Sequence, residues 1–167
     1  MQSALVTDDE ARPAIEHATH TDPVWRERAN FIVQVDLQHH GMASGAYEQL
    51  WTRTGDQIAF EVCCLPFFTY GIALGDVIVW NDVDRQAVVT HRSGRRIIRC
   101  AFANRVDAAT EHEAFHGSVV STGALVEFHG PGFAAIDINS DESLGAVLAV
   151  VGPLHESGRA TWEWGSE

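Results

Sequence analysis

Residues 60–80 read FEVCCLPFFTYGIALGDVIVW: an apolar run, an aromatic turn opened by Pro66, a segment bounded by Gly71 and Gly75, and a second apolar run. The two runs are rich in β-branched and aromatic residues, which suit a pleated, half-buried surface. Proline and glycine interrupt them, because Pro66 has no amide hydrogen and glycine accepts backbone conformations other residues resist. Strands are therefore expected at Gln57–Cys64 and Asp76–Asn81. Past an acidic turn at Asn81–Asp84 come two more, Gln86–Arg92 and Arg95–Ala103, joined at Ser93-Gly94.

Upstream, Phe31–Leu37 alternates, with Val33, Val35 and Leu37 on one face. Gly41–Gly45 is a loop, and Tyr47–Arg53 leads into a turn at Thr54-Gly55-Asp56. Short strands joined by tight turns predict a small, curled antiparallel sheet, a partial barrel, over residues 31–94. Residues 1–30, with clustered acids, Pro13 and Pro23, read as a flexible acidic arm with one short helix near Trp25–Arg28.

Downstream the rhythm changes. A helix is expected over Val106–Val120, ending at Gly123, then strands Ala124–His129 and Phe133–Ile138 around Gly130-Pro131-Gly132. Asn139 or Ser140 can cap a second helix from about Asp141 to Leu154, with Leu144, Val147, Leu148 and Val151 on one face. Arg159–Trp164 closes as a strand, Trp162 and Trp164 facing the core. The order βαββαβ over 95–167 is that of a ferredoxin-like half. The expected class is α+β, a curled antiparallel N-terminal sheet joined to that half. Strand Arg95–Ala103 is shared, so 31–94 and 95–167 form one continuous unit.

Leu65-Pro66-Phe67-Phe68, Gly71-Ile72-Ala73-Leu74-Gly75-Asp76-Val77, and Arg92-Ser93-Gly94 followed by Ile98-Arg99 together resemble the bacterial domain of unknown function 4265 family. The resemblance extends over Phe31–Trp164 and is strongest from Leu65 to Arg99. It implies a Pro-Phe-Phe turn leading into a Gly-Asp-Val strand, and a Ser-Gly hairpin ending in an Ile-Arg strand. It implies no activity. Cys63-Cys64 and the polar stretch Asp107–His116 depart from the family pattern.

The formal net charge is −12, from 23 acidic against 11 basic residues, and every base is arginine. Such a surface disfavours nucleic acid, whose phosphates need a basic counterpart. It favours association with a basic protein partner. No apolar run approaches a membrane span, and Met1–His20 has no apolar signal core, so the expectation is a cytoplasmic protein without a membrane role. The three cysteines have neither CxxC spacing nor a disulfide pattern and read as buried thiols.

His112-Glu113-Ala114-Phe115-His116 is a literal HExxH. On a helix it sets His112 and His116 on one face as zinc ligands, with Glu113 as general base. Gly117 weakens that helix, Val119 stands where a longer protease signature needs glycine, and a third ligand has to come from Glu127, His129 or Asp137. A half-buried helix with His112 beside Phe115 is the plainer reading. His39-His40 reads as a loop pair that titrates near neutrality. Asp76 either accepts bonds from its own turn or lines a ligand pocket with Arg92, Ser93 and Arg99. The aromatic loop Phe67, Phe68 and Tyr70, with Asp82 and Asp84, supplies a partner-binding surface, or else the aromatics plug the barrel end.

Three functions follow. The leading one is a non-enzymatic, acidic protein-binding module needing no cofactor, such as an immunity protein or antitoxin that neutralises a cognate bacterial toxin. The second is a zinc-dependent hydrolase using residues 112–116. The third is a small-ligand sensor with its pocket where the two halves meet.

Overall fold

The computed structural model describes residues 17–103 and 108–166. It is an α+β structure of two sheets and two helices, stacked as helices, second sheet, first sheet. The first sheet has six strands: β1 (His17–Ala18), β2 (Phe31–Asp36), β3 (Tyr47–Arg53), β4 (Ala59–Val62), β5 (Val77–Trp80) and β6 (Ala87–His91). Strand β3 organises it. Antiparallel β2 runs along one edge of β3 from Tyr47 to Thr52. On the other edge antiparallel β4 covers only Thr52 and Arg53, leaving room for parallel β1 at Tyr47 and Glu48.

That last pairing corrects the expected arm. Residues 17–30 lie against the sheet, with Ala18 and His20 buried, and the 3-10 turn at Arg26–Arg28 falls where a short helix was expected. Residues 1–16 lie outside the described residues. The sheet curls without closing. Trp80 Nε1 donates to the Gln34 carbonyl (2.7 Å) and the Asp36 amide to the Arg85 carbonyl (2.9 Å), yet β2 and β6 share no ladder. Alternation sends Val33, Val35, Leu50, Phe60, Val62 and Ile78 into the curl as one cluster.

The second sheet comprises β7 (Arg96–Phe102), β8 (Val126–His129), β9 (Phe133–Ile138) and β10 (Ala160–Trp164), in the order β10-β7-β9-β8 with every neighbour antiparallel. Helix α1 (Ala108–Ser121) joins β7 to β8, and α2 (Asp141–Glu156) joins β9 to β10. Ser140 caps α2: its hydroxyl accepts from the Ser143 amide at 3.1 Å, and the Ser143 hydroxyl accepts from the Ser140 amide at 3.3 Å.

Period-two alternation gives this sheet two different faces. Ile98, Cys100, Ala134, Ile136 and Ile138 cluster with Phe115, Val119, Val147 and Val151 of the helices, and Trp162 and Trp164 border them. The opposite face carries Ile97 and Ala135, which share a cluster with Leu37, Leu65, Phe67, Phe68 and Leu74. One core thus draws on residues from both 31–94 and 95–167. The face turned to the first sheet also carries Arg99 and Glu127, and there the buried charges collect.

Candidate functional site

Between the sheets, Leu65–Thr69 leaves β4 without joining another ladder. Its backbone groups are buried and each needs a partner. Side-chain charges supply them. Glu127 Oε1 accepts from the amides of Leu65 (2.8 Å) and Val24 (3.0 Å). Glu48 accepts from the amides of Phe67 (2.6 Å), Phe68 (3.0 Å) and Thr69 (2.8 Å) and from the Thr69 hydroxyl (2.7 Å). Arg99 donates from Nε to the Pro66 carbonyl (3.3 Å) and from Nη2 to the Thr69 carbonyl (2.7 Å). Its guanidinium also lies 4.2 Å from the centre of the Tyr70 ring.

His20 ties the two carboxylates together. Its Nδ1 is 2.5 Å from Glu127 Oε2 and its Nε2 3.1 Å from Glu48 Oε1. The ring stacks on Phe67 with centroids 4.3 Å apart. With a carboxylate at each nitrogen, both donate, and His20 is an imidazolium. Burial opposes that charge, but the Cys64 sulfur beside the ring and the two carboxylates together raise its pKa well above the ordinary 6.5. Burial likewise works against a charged Glu48, yet His20 and the Phe67 amide hold it down at about 2. The formal charges of Glu48, Glu127, His20 and Arg99 cancel. The His20 and Glu48 side chains have no solvent exposure. Without access for a substrate, the cluster's chemistry is to hold a proton and fix the loop.

Sequence reasoning missed His20 and Glu48, and offered Glu127 only as a third metal ligand. Parity was the available signal. Glu48 shares the inward face of β3 with Leu50 and Thr52, and Glu127 shares the β8 face turned away from the helices.

The pocket expected from Asp76, Arg92, Ser93 and Arg99 does not form. Asp76 is buried and accepts from the amides of Ala73 (3.0 Å) and Ser93 (2.8 Å) and from Arg92 Nη1 (3.1 Å). The Ser93 hydroxyl donates to the Leu74 carbonyl at 2.7 Å. These three residues lock the turn, as the alternative for Asp76 had it, and Arg99 belongs to the other cluster. Gly75 is required there: its φ is +78°, and a Cβ would sit 3.2 Å from Ser93 Cβ and 3.4 Å from the Trp25 ring.

The expected partner surface divides. Phe67 and Phe68, 1% and 8% exposed, are core residues and present nothing to a partner, because the charge-pinned loop turns both rings between the sheets. Tyr70 is 39% exposed and its hydroxyl bonds Glu163. Asp82 and Asp84 are exposed at the tip of the β5–β6 hairpin, where Asn81 Oδ1 accepts from the amides of Val83 and Asp84, both at 3.0 Å. Val83 between them is 91% exposed. Behind the tip Val79 and Val88 face each other across the ladder, 42% and 61% exposed, and β6 is the free edge of the sheet.

The HExxH residues lie on α1. His112 and His116 both stand over Phe128, centroids 3.8 and 5.9 Å away, and Glu113 is exposed. The expected third ligands are engaged elsewhere. Glu127 meets His20, Asp137 pairs with Arg95 at 2.6 Å, and His129 sits against Phe67 and Phe68. Among the described residues no group of three His, Cys, Asp or Glu side chains is placed to hold a metal ion. Of the histidine pair, His40 Nδ1 accepts from the Tyr70 amide at 3.1 Å, and His39 meets Gln86. Cys63, Cys64 and Cys100 are free and buried, and burial pushes Cys63 up to about 11 and Cys100 to about 12. No helix among the described residues is long and apolar enough to cross a membrane.

A family model described as Domain of unknown function (DUF4265) matches residues 48–162. No curated protein sequence matches the chain. Among solved structures, one described as "Novel crystal structure of a hypothetical protein from Neisseria gonorrhoeae" is similar, with a TM-score of 0.58 at 13% identity, covering 79% of this chain and 89% of that one. At that identity the likeness is one of fold. Glu48, Arg99 and Glu127 fall inside the family-matched stretch, whereas His20 precedes it.

Proposed function

The chain belongs to the family Domain of unknown function (DUF4265), which leaves its activity to be read from its own surface, and we propose that it is a non-enzymatic, acidic protein-binding module. The observation that carries this reading is the β5–β6 hairpin. Strand β6 offers an open edge with neither lysine nor proline, the residues that commonly guard such edges. Beside it lie Val79, Val83 and Val88, with Asp82 and Asp84 at the tip.

An extended segment of a partner can pair with such an edge through its backbone, while its side chains meet the valines. A net charge of −12 selects a basic partner and speeds its approach. A cognate toxin with a basic cleft, held by this chain as immunity protein or antitoxin, fits those requirements. We also infer that the second sheet with α1 and α2 is a ferredoxin-like unit; its strand order β10-β7-β9-β8 with one helix in each crossover supports that reading.

The test is titration calorimetry against the protein encoded by the neighbouring gene, with wild type and the exposed-edge variant Val88→Lys. The expected result is a complex that weakens with salt and is lost in Val88→Lys. A neighbour that does not bind, or binds the variant equally well, overturns the reading.

A further inference from the structure

On the helix-facing side of the second sheet, a groove of about 320 Å³ opens between α1, α2 and the ends of β7 and β8. Its floor is aromatic. Phe102 meets Phe115 edge to face at 4.9 Å, and Phe115 meets Phe128 edge to face at 6.2 Å. Val150 and Leu154 of α2 form the far wall. The polar groups gather at the mouth, where His112, Glu111 and Arg159 line the opening.

We propose that this groove binds a small aromatic carboxylate, its ring against Phe102, Phe115 and Phe128 and its carboxylate on Arg159. The volume sits at the lower end of small-molecule sites, which join an apolar lining to a few polar groups that orient the ligand. Three phenyl rings with edges and faces presented together favour a flat aromatic guest over an aliphatic one.

Charge at the mouth decides the head group. Arg159 Nη2 touches Glu111 Oε1 at 2.8 Å, and both side chains are more than half exposed. An exposed pair of this kind contributes only about 0–1 kcal/mol. That contact is the one hydrogen bond of the Arg159 side chain among the described residues, so the rest of its planar fork can take a carboxylate bidentately. Glu111 lies in the first turn of α1, where the helix N-terminus already favours a negative charge. His112 lines the groove as well, its ring over Phe128. The site lies within the helix-bearing half and away from the junction of the sheets, which Phe67, Phe68 and their neighbours fill.

The probe is 2-naphthoate, followed by titration calorimetry, with its uncharged methyl ester and the cation 2-naphthylmethylammonium for comparison. Two variants are used: Ala114→Trp, which fills the groove from an exposed helix position, and Arg159→Gln, which removes the guanidinium. The expected result is saturable one-to-one binding of 2-naphthoate, abolished by Ala114→Trp. Arg159→Gln, which puts an uncharged amide in place of the bidentate guanidinium, weakens it at least about tenfold and leaves the ester unaffected. The proposal is overturned by absent saturable binding, by naphthoate affinity unchanged in Arg159→Gln, or by tighter binding of the cation than of naphthoate. Thermal unfolding confirms that Ala114→Trp is folded, and Arg159→Gln decides the matter if it is not.

Discussion

Glu48 occupies an inward, fully buried position of β3 beside Leu50 and Thr52, and it keeps its charge there. Removing that charge tests how much the cluster contributes. Glu48→Gln leaves the Phe67, Phe68 and Thr69 amides with a weaker acceptor and His20 with one carboxylate in place of two. Breaking a buried pair from one side costs about 3–5 kcal/mol, so urea unfolding should show a loss of that order. The pH dependence has a definite sign. Glu48 is held at about 2 against an ordinary 4.5, so its contribution is complete above pH 4.5 and is lost as pH falls from 4.5 toward 2. The His20 pKa is raised, so its contribution is complete below pH 6.5 and is lost as pH rises through the raised value. Urea midpoints of wild type and Glu48→Gln across both windows check this; a variant with an unchanged acid limb refutes the assignment.

At the scale of elements, strands were legible wherever apolar alternation lasted four residues or more, because burial on one face leaves that imprint. The helices were legible from periodicity and caps. Ser140 is a cap on both counts, and Ser140→Ala should cost about 1 kcal/mol by the same unfolding assay. Strand β1 was not legible. His17–Ala18 is two residues long, too short for any period, and its place depends on an edge of β3 that β4 leaves uncovered. The aromatic loop misled for a related reason. Phe67 and Phe68 sit in irregular backbone, which ordinarily runs over the surface, and only the distant Glu48, Glu127 and Arg99 let it run through the core. The Asp76 turn lock was readable because its partners are near in sequence. Gly75→Ala should destabilise by about 1–3 kcal/mol, the cost of a strained left-handed backbone, and cycles with Ser93→Ala would show whether the close approach adds to it.

The whole molecule sums to −12, and among the described residues the acids other than Glu48, Asp76, Glu127 and Asp137 are exposed or half-buried. Self-repulsion works against the compact state and is relieved by salt. Raising sodium chloride from about 0.01 to 0.2 M, where the Debye length shortens several-fold, should therefore raise the urea midpoint. A midpoint that falls instead would mean that surface ion pairs such as Arg28–Glu61 and Arg96–Asp141 outweigh the repulsion. The strands of the first sheet give way to those of the second near Arg95, where the rhythm of the sequence changes, but the core that the two sheets share was not readable. Contacts between Phe67 and His129, or His20 and Glu127, join residues far apart in the chain.

The ring clasped between those two carboxylates also makes folding a proton-uptake reaction. Near neutral pH an unfolded chain carries His20 largely uncharged, and the native one carries it protonated. At a pH between the ordinary value and the raised one, each molecule that folds draws proton from its buffer at this residue. The heat recorded on unfolding then includes the buffer's own enthalpy of ionisation. Calorimetry in phosphate and in Tris at one pH should give different apparent enthalpies, and His20→Gln should remove this residue's share of the difference.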